Sequence, residues 1–122
     1  MMTSIAALRR RMAQYRHHVD QEAKALKESN LALERLHRFY GSLEAEDRIL
    51  ADQVLDEWIL SGDENVRFDA MSLVDDFSIL TALPALKELA HRLSASVAPS
   101  APYELTKVNR VIGDLVAARG SP

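Results

Sequence analysis

Two Glu-x-x-His pairs, Glu34/His37 and Glu88/His91, are the residues of this chain whose types and spacing come nearest to a chemical motif. One helical turn separates the members of each pair, and two such pairs with two further glutamates hold a di-metal centre in some helical bundles. Ligands of that kind must point inward. Leu33, Leu36 and Tyr40 mark the apolar face of the first segment, and Leu86, Leu89 and Leu93 that of the second, which leaves both pairs beside or opposite those faces. The expectation is therefore no metal and no other cofactor. His17 and His18 point about 100° apart on a helix and cannot chelate together.

Other chemistries are equally poorly served. The chain has no cysteine, which removes disulfides, thiolate metal sites and a Cys/His nucleophile. There is no glycine-rich phosphate loop and no G-x-S-x-G. Asp75-Asp76 and Asp52/Asp56 have the spacing of paired carboxylates, yet each reads as a solvated helix face, and nothing supplies a nucleophile with an oriented base. The expectation is a protein that is not an enzyme. Trp58 and Phe39-Tyr40 are either core aromatics or anchors of an interface, where aromatics are enriched.

The elements that position these residues are helices throughout. The 122 residues, 48% hydrophobic and 27% charged, suit a single domain with a core of its own, taken as residues 1–122. No stretch alternates apolar and polar residues as a strand would. Ile5, Leu8, Met12, Tyr15, Val19 and Leu26, then Leu33, Leu36, Tyr40 and Leu43, keep three-four spacing in an N-terminal segment of residues 1–41. That segment is either one helix or two with a break and a cap near Ser29-Asn30. Gly41 is expected to stop it, and Ser42 to cap a helix with Leu50, Val54, Leu55, Trp58 and Ile59 on its buried face. Ser61-Gly62 ends that helix, with the glycine expected to be left-handed.

Asp63 then caps a helix striped by Val66, Ala70, Leu73, Val74 and Phe77, and lies within ion-pairing reach of Arg67. Thr81 is expected to cap the next helix, with Pro84 in its first turn and Leu83, Leu86, Leu89, Ala90 and Leu93 buried. The two are expected to fold back as a helical hairpin with small Ala70 at the seam. After a loop at 94–102, a last helix follows Pro102 with Leu105, Val108, Ile112, Leu115 and Val116. The final four residues read as a frayed tail.

Charge is unevenly spread. Residues 1–40 carry eight Lys or Arg against four acids, while 41–122 carry seven against fourteen, for a net −3. Arg9-Arg10-Arg11 and Arg16 hint at a phosphate-binding stripe, but successive residues fan round a helix and the rest of the chain is acidic, which argues against nucleic acid. No apolar run is long enough to span a membrane. The N-terminus lacks the apolar core of a signal peptide, and the cytoplasm is the expected compartment.

The stretch Asp63, Val66-Arg67, Ala70 and Leu73, followed by Pro84, Leu86 and Leu89, resembles a HEAT repeat. A further first helix near Pro102 falls close to that family's period. The resemblance covers residues 42–118 and implies an all-α, right-handed solenoid of five to six helices in stacked antiparallel hairpins, preceded by an N-terminal amphipathic helix. It also implies a non-enzymatic module that binds another protein. In that architecture the second helix of each hairpin lines the inner face, which singles out Lys87, Glu88, His91 and Arg92, with Asp52, Asp56 and Glu57 on the preceding second helix, as partner-binding residues. Alternatives are a bacterial immunity or inhibitor protein that blocks a toxin through an acidic surface, and a nucleic-acid-binding helical repeat. The heptad-like phase of residues 5–43 also leaves open a homodimer through the N-terminal helix.

Overall fold

A computed structural model of the protein describes residues 3–27 and 30–120. The described residues form six α-helices and no strand: α1 (Ile5–Leu26), α2 (Leu31–Ser42), α3 (Ala45–Ile59), α4 (Glu64–Asp76), α5 (Leu83–Ala95) and α6 (Ala101–Gly120). A single 3₁₀ turn, Leu80–Ala82, leads into α5. The chain groups into two compact units, residues 1–54 and 55–122, with the division inside α3.

In the first unit α1 begins at Ser4, whose side-chain oxygen accepts from the Ala7 N–H at 3.1 Å. It ends at Lys27, which adopts φ 56° and donates its N–H to the carbonyls of Ala23 and Lys24. The N-terminal segment is therefore two helices. Asn30 precedes α2 without a side-chain cap, and Ser29 lies outside the described residues. The helices run antiparallel. Tyr15 stacks on Phe39 with ring centroids 4.6 Å apart, and Glu22 pairs with Arg35 one end further along. Leu8, Met12, Val19 and Ala23 of α1 and Leu36 and Tyr40 of α2 are buried.

Two expectations at the α2–α3 joint are corrected. Gly41 lies inside α2, which ends at Ser42, and the Ser42 hydroxyl donates back to the Phe39 carbonyl at 2.7 Å instead of capping α3. Arg48 of α3 secures the end of α2. Its Nη2 donates to the Gly41 carbonyl at 2.9 Å and its guanidinium lies over the Tyr40 ring.

In the second unit Asp63 is the cap of α4, its Oδ1 accepting from the Asn65 N–H at 2.8 Å. Gly62 ahead of it is not left-handed. Among the described residues positive φ falls on Lys27 and on Ser78, just past α4. Thr81 does not cap α5 either. It sits within the 3₁₀ turn, which takes the chain into α5 through Ala82, with Pro84 at the second helical position.

Helix α6 is the common neighbour here. Helix α6 packs along both α5 and α4, whereas α4 and α5 approach each other at few positions. The simple α4–α5 hairpin drawn from sequence is corrected accordingly. Ala70, Leu73 and Val74 of α4, Leu83, Leu86 and Leu89 of α5, and Val108, Val111 and Leu115 of α6 are buried. Phe77 and Val116, placed on stripes by their spacing, are exposed. The last helix continues through Arg119 to Gly120, so half of the expected frayed tail is helical, and Ser121 and Pro122 lie outside the described residues.

Ala70 has no solvent exposure, and a glutamate there has no room and no partner. Ala70→Glu is expected to cost about 3 kcal/mol or more through burial of an unpaired charge. The denaturant midpoint checks this, and Ala70→Ser serves as a mild control.

Candidate interaction surface

On α4 the residues Phe68, Met71, Ser72 and Asp75 recur every third or fourth position, and on α6 so do Tyr103, Lys107, Arg110, Val111 and Asp114. Each set flanks the buried stripe of its helix, so the helices' approach brings the two sets face to face. Between them lies an open groove of about 220 Å³, with buried Met71 and Val111 at its base. Phe68 and Ser72 come from one helix, Lys107 and Arg110 from the other, and Asp75 and Asp76 lie toward the C-terminal end of α4. A smaller recess adjoins it between Glu64 and Tyr103.

A buried ion pair sets this geometry. Arg67 Nε and Nη2 donate to the two carboxylate oxygens of Glu104, each at 2.7 Å, and Nη1 donates to the Ser61 carbonyl at 2.9 Å. The side chains are only 15% and 5% exposed. The expected Asp63–Arg67 pair is replaced by this one across 37 residues of sequence. Hydrogen bonding to Glu104 raises the Arg67 pKa further, against the opposing effect of burial.

The mouth of the groove is aromatic. Phe68 is 45% exposed and Tyr103 67%, and Lys107 Nζ lies 5.1 Å from the first ring centroid and 4.5 Å from the second. Such a cation–π arrangement holds two large rings at the surface beside a charge. At the acidic end the pKa of the Asp75 carboxyl is raised, first by burial, then by the hydrogen bond its protonated form donates to Asp114 and by the negative charges of Asp114 and Asp76, with Arg110 pulling the other way.

The partner-binding residues expected from sequence are distributed differently. Lys87, Glu88, His91 and Arg92 share one exposed face of α5, where Glu88 accepts from Arg92 at 3.0 Å. Glu57 is exposed and Asp56 half-buried on α3. Asp52 is half-buried. Its Oδ1 accepts from the Tyr40 hydroxyl at 2.5 Å, and burial raises the pKa of both groups. Asp52 is therefore half-buried and engaged by the Tyr40 hydroxyl. Of the aromatics left open as core or anchor, Tyr40 and Trp58 are buried.

The Glu-x-x-His pairs are engaged locally. His37 Nδ1 donates to the Leu33 carbonyl at 2.8 Å, and Glu88 is held by Arg92. Among the described residues no group of three or more His, Asp or Glu side chains is placed to share a metal ion. In the N-terminal basic run Arg11 lies over the Phe39 ring, and His18 faces Glu22 at 3.6 Å. No described helix is long and apolar enough to cross a membrane.

Sequence reasoning missed Phe68, Tyr103 and Glu104. The available signals were two aromatics off the apolar stripes and an acid on one, since Glu104 stands between Ala101 and Val108 on the buried face of α6.

No protein-family model matches this chain, and no curated protein or solved structure matches it either.

Two measurements follow from this geometry. Glu104→Gln keeps the shape but leaves the guanidinium without its anion, and is expected to destabilise by about 3 kcal/mol in chemical denaturation. At Asp75 the folded pKa lies above the unfolded one, so the folded state binds the extra proton. That contribution is present below the ordinary carboxylate pKa and is lost as pH rises through the raised value. Asp75→Asn is therefore expected to be more stable than the parent at pH 7, with the advantage shrinking toward pH 4, as melting curves across that range will register.

Proposed function

We propose that this protein is a non-enzymatic interaction module that binds another protein across the α4–α6 groove. The observation that carries the reading is the aromatic mouth, where Phe68 and Tyr103 stand at the surface beside an apolar base of Met71 and Val111. Large rings left in water next to a concave surface are the usual composition of a binding centre, because their burial releases apolar area at low conformational cost. The buried Arg67–Glu104 pair supports it by fixing the two helices that form the walls.

The HEAT-like arrangement belongs to the same proposal. In its favour are the Asp63 cap, Arg67 on the inner side of α4, Pro84 in the first turn of α5, and a second first-helix start at Ala101, 37 residues after Glu64. In that register α4 and α6 are successive first helices, so the groove lies between repeats, and the exposed face of Lys87, Glu88, His91 and Arg92 on α5 is a second, polar contact surface of the same module.

A narrower version, an inhibitor that covers the cationic cleft of a toxin, rests on the acidic excess of residues 41–122 and on the carboxyls at the α4 end of the groove. It shares the surface and differs only in the partner.

Phe68→Ala and Tyr103→Ala, singly and together, test the proposal. Each truncates an exposed ring, so thermal midpoints are expected to fall by no more than a few degrees while affinity for the co-purifying partner drops at least about tenfold for the double variant. Binding by titration calorimetry that is unchanged in the double variant overturns the groove as the docking surface.

A further inference from the structure

The charged side chains that line the α4–α6 groove are sorted by wall. Asp75 and Asp76 come from α4, and Lys107 and Arg110 from α6. These charges cancel, so the groove as a whole selects neither a cation nor an anion. No single one is left over either. Asp75 and Arg110 act on each other, Asp76 is itself engaged, and Lys107 lies over the Phe68 and Tyr103 rings. What the arrangement fixes is the sign on each side. A segment lying along the groove meets negative charge on one flank and positive charge on the other. A segment of one sign gains at one wall and loses at the other, whereas one with opposite signs on its two flanks gains at both. Between the walls the base is apolar, because Met71 and Val111 are buried there.

The form of the occupant follows from its surroundings. Among the described residues there is no strand, so no sheet edge offers hydrogen bonds to an extended chain. A segment docking here must satisfy its backbone internally, as a helix does. From Phe68 to Asp75 the α4 wall runs about 10 Å, or two helical turns. The space between the walls, about 220 Å³, admits a side chain and not the body of a helix.

Resting on the interaction reading above, we propose that the groove receives one long aliphatic side chain from an amphipathic helix of the partner protein, a helix basic on the flank facing α4 and acidic on the flank facing α6. The inserted side chain covers Met71 and Val111, and its burial supplies the affinity. The flanking charges supply the choice of partner and its orientation. Turning such a helix end for end exchanges its flanks, so only one chain direction sets both signs against the right walls.

The experiment uses the full chain and alanine-based helical peptides with one central leucine. Lysine stands at positions −3 and +1 from that leucine and glutamate at −1 and +3, which puts the two signs on opposite flanks of it. One twin carries lysine at all four positions, one glutamate and one glutamine. A further peptide keeps the split charges and replaces the leucine with alanine. Amide chemical shifts are followed by NMR. The split-charge peptide is expected to shift residues 68–76 and 107–111 and to bind at least about fivefold tighter than either single-sign twin, by a margin that shrinks as salt rises. The alanine version is expected to be at least about tenfold weaker. In Arg110→Glu, which removes the positive excess of the α6 wall, the four-lysine twin is expected to become the tightest binder. The ranking on the unaltered protein stands whether or not that variant folds. Any twin that matches the split-charge peptide overturns the charge split while leaving the groove as a docking surface. Equal binding of the alanine version overturns the inserted side chain. Shifts centred on residues 87–92, or no shifts at millimolar peptide, overturn the proposal. Groove shifts that appear on concentrating the protein alone identify a second copy as the occupant and overturn it too. Failure of the interaction reading shows separately, as partner binding untouched in the Phe68→Ala, Tyr103→Ala double variant.

Discussion

Glu104 carries a negative charge into the apolar stripe of α6, and the Arg67 guanidinium meets it there with two parallel hydrogen bonds. A carboxylate in that position is costly to desolvate, and only a partner of matched geometry offsets the cost. The arrangement of the second unit follows from this constraint. With Arg67 fixed at the start of α4 and Glu104 in the first turn of α6, those two helices must begin side by side. Apolar packing fits side chains together by shape but offers no directional charge contact to mark one register. One bidentate pair adds that directional constraint, and in the resulting alignment Phe68 and Tyr103 lie close enough to share Lys107.

The first unit uses a gentler version of the same device. The Tyr40 hydroxyl reaches Asp52 twelve residues ahead, and Arg48 holds the last carbonyls of α2 from within α3. Each contact is polar and specific in direction, the first partly buried and the second exposed. Together they define the α2–α3 corner, alongside the buried Leu43 of the connection itself.

Much of the helical content was legible in sequence, because a 3.6-residue apolar period is local information. Asp63 as a cap and Pro84 in a first turn were legible for the same reason. What escaped was set by contacts distant in sequence or by backbone detail. Gly41 reads as a terminator, yet α2 continues one residue past it, because α2's carbonyls find a donor in Arg48. Gly62 reads as a left-handed joint, while among the described residues the left-handed positions are Lys27 and Ser78, which no composition rule favours. Arg67 reads as the partner of Asp63 four residues back, because nothing local reveals an acid 37 residues on. Asp52 reads as surface charge until the Tyr40 hydroxyl is placed against it. The groove was invisible for a related reason: its residues lie on the flanks of stripes, where periodicity gives no weight.

The third hydrogen bond of Arg67, to the Ser61 carbonyl, ties the connection between α3 and α4 to the same pair. Surface connections are ordinarily the loosest part of a fold and the first to be nicked by proteases. Here a protease seeking an extended stretch around Ser61 must first pull that carbonyl off a guanidinium that is itself holding a buried acid. The joint is therefore harder to open than an untethered connection, and digestion is expected to begin in the solvent-exposed run from Val97 to Ser100, where no charge is anchored.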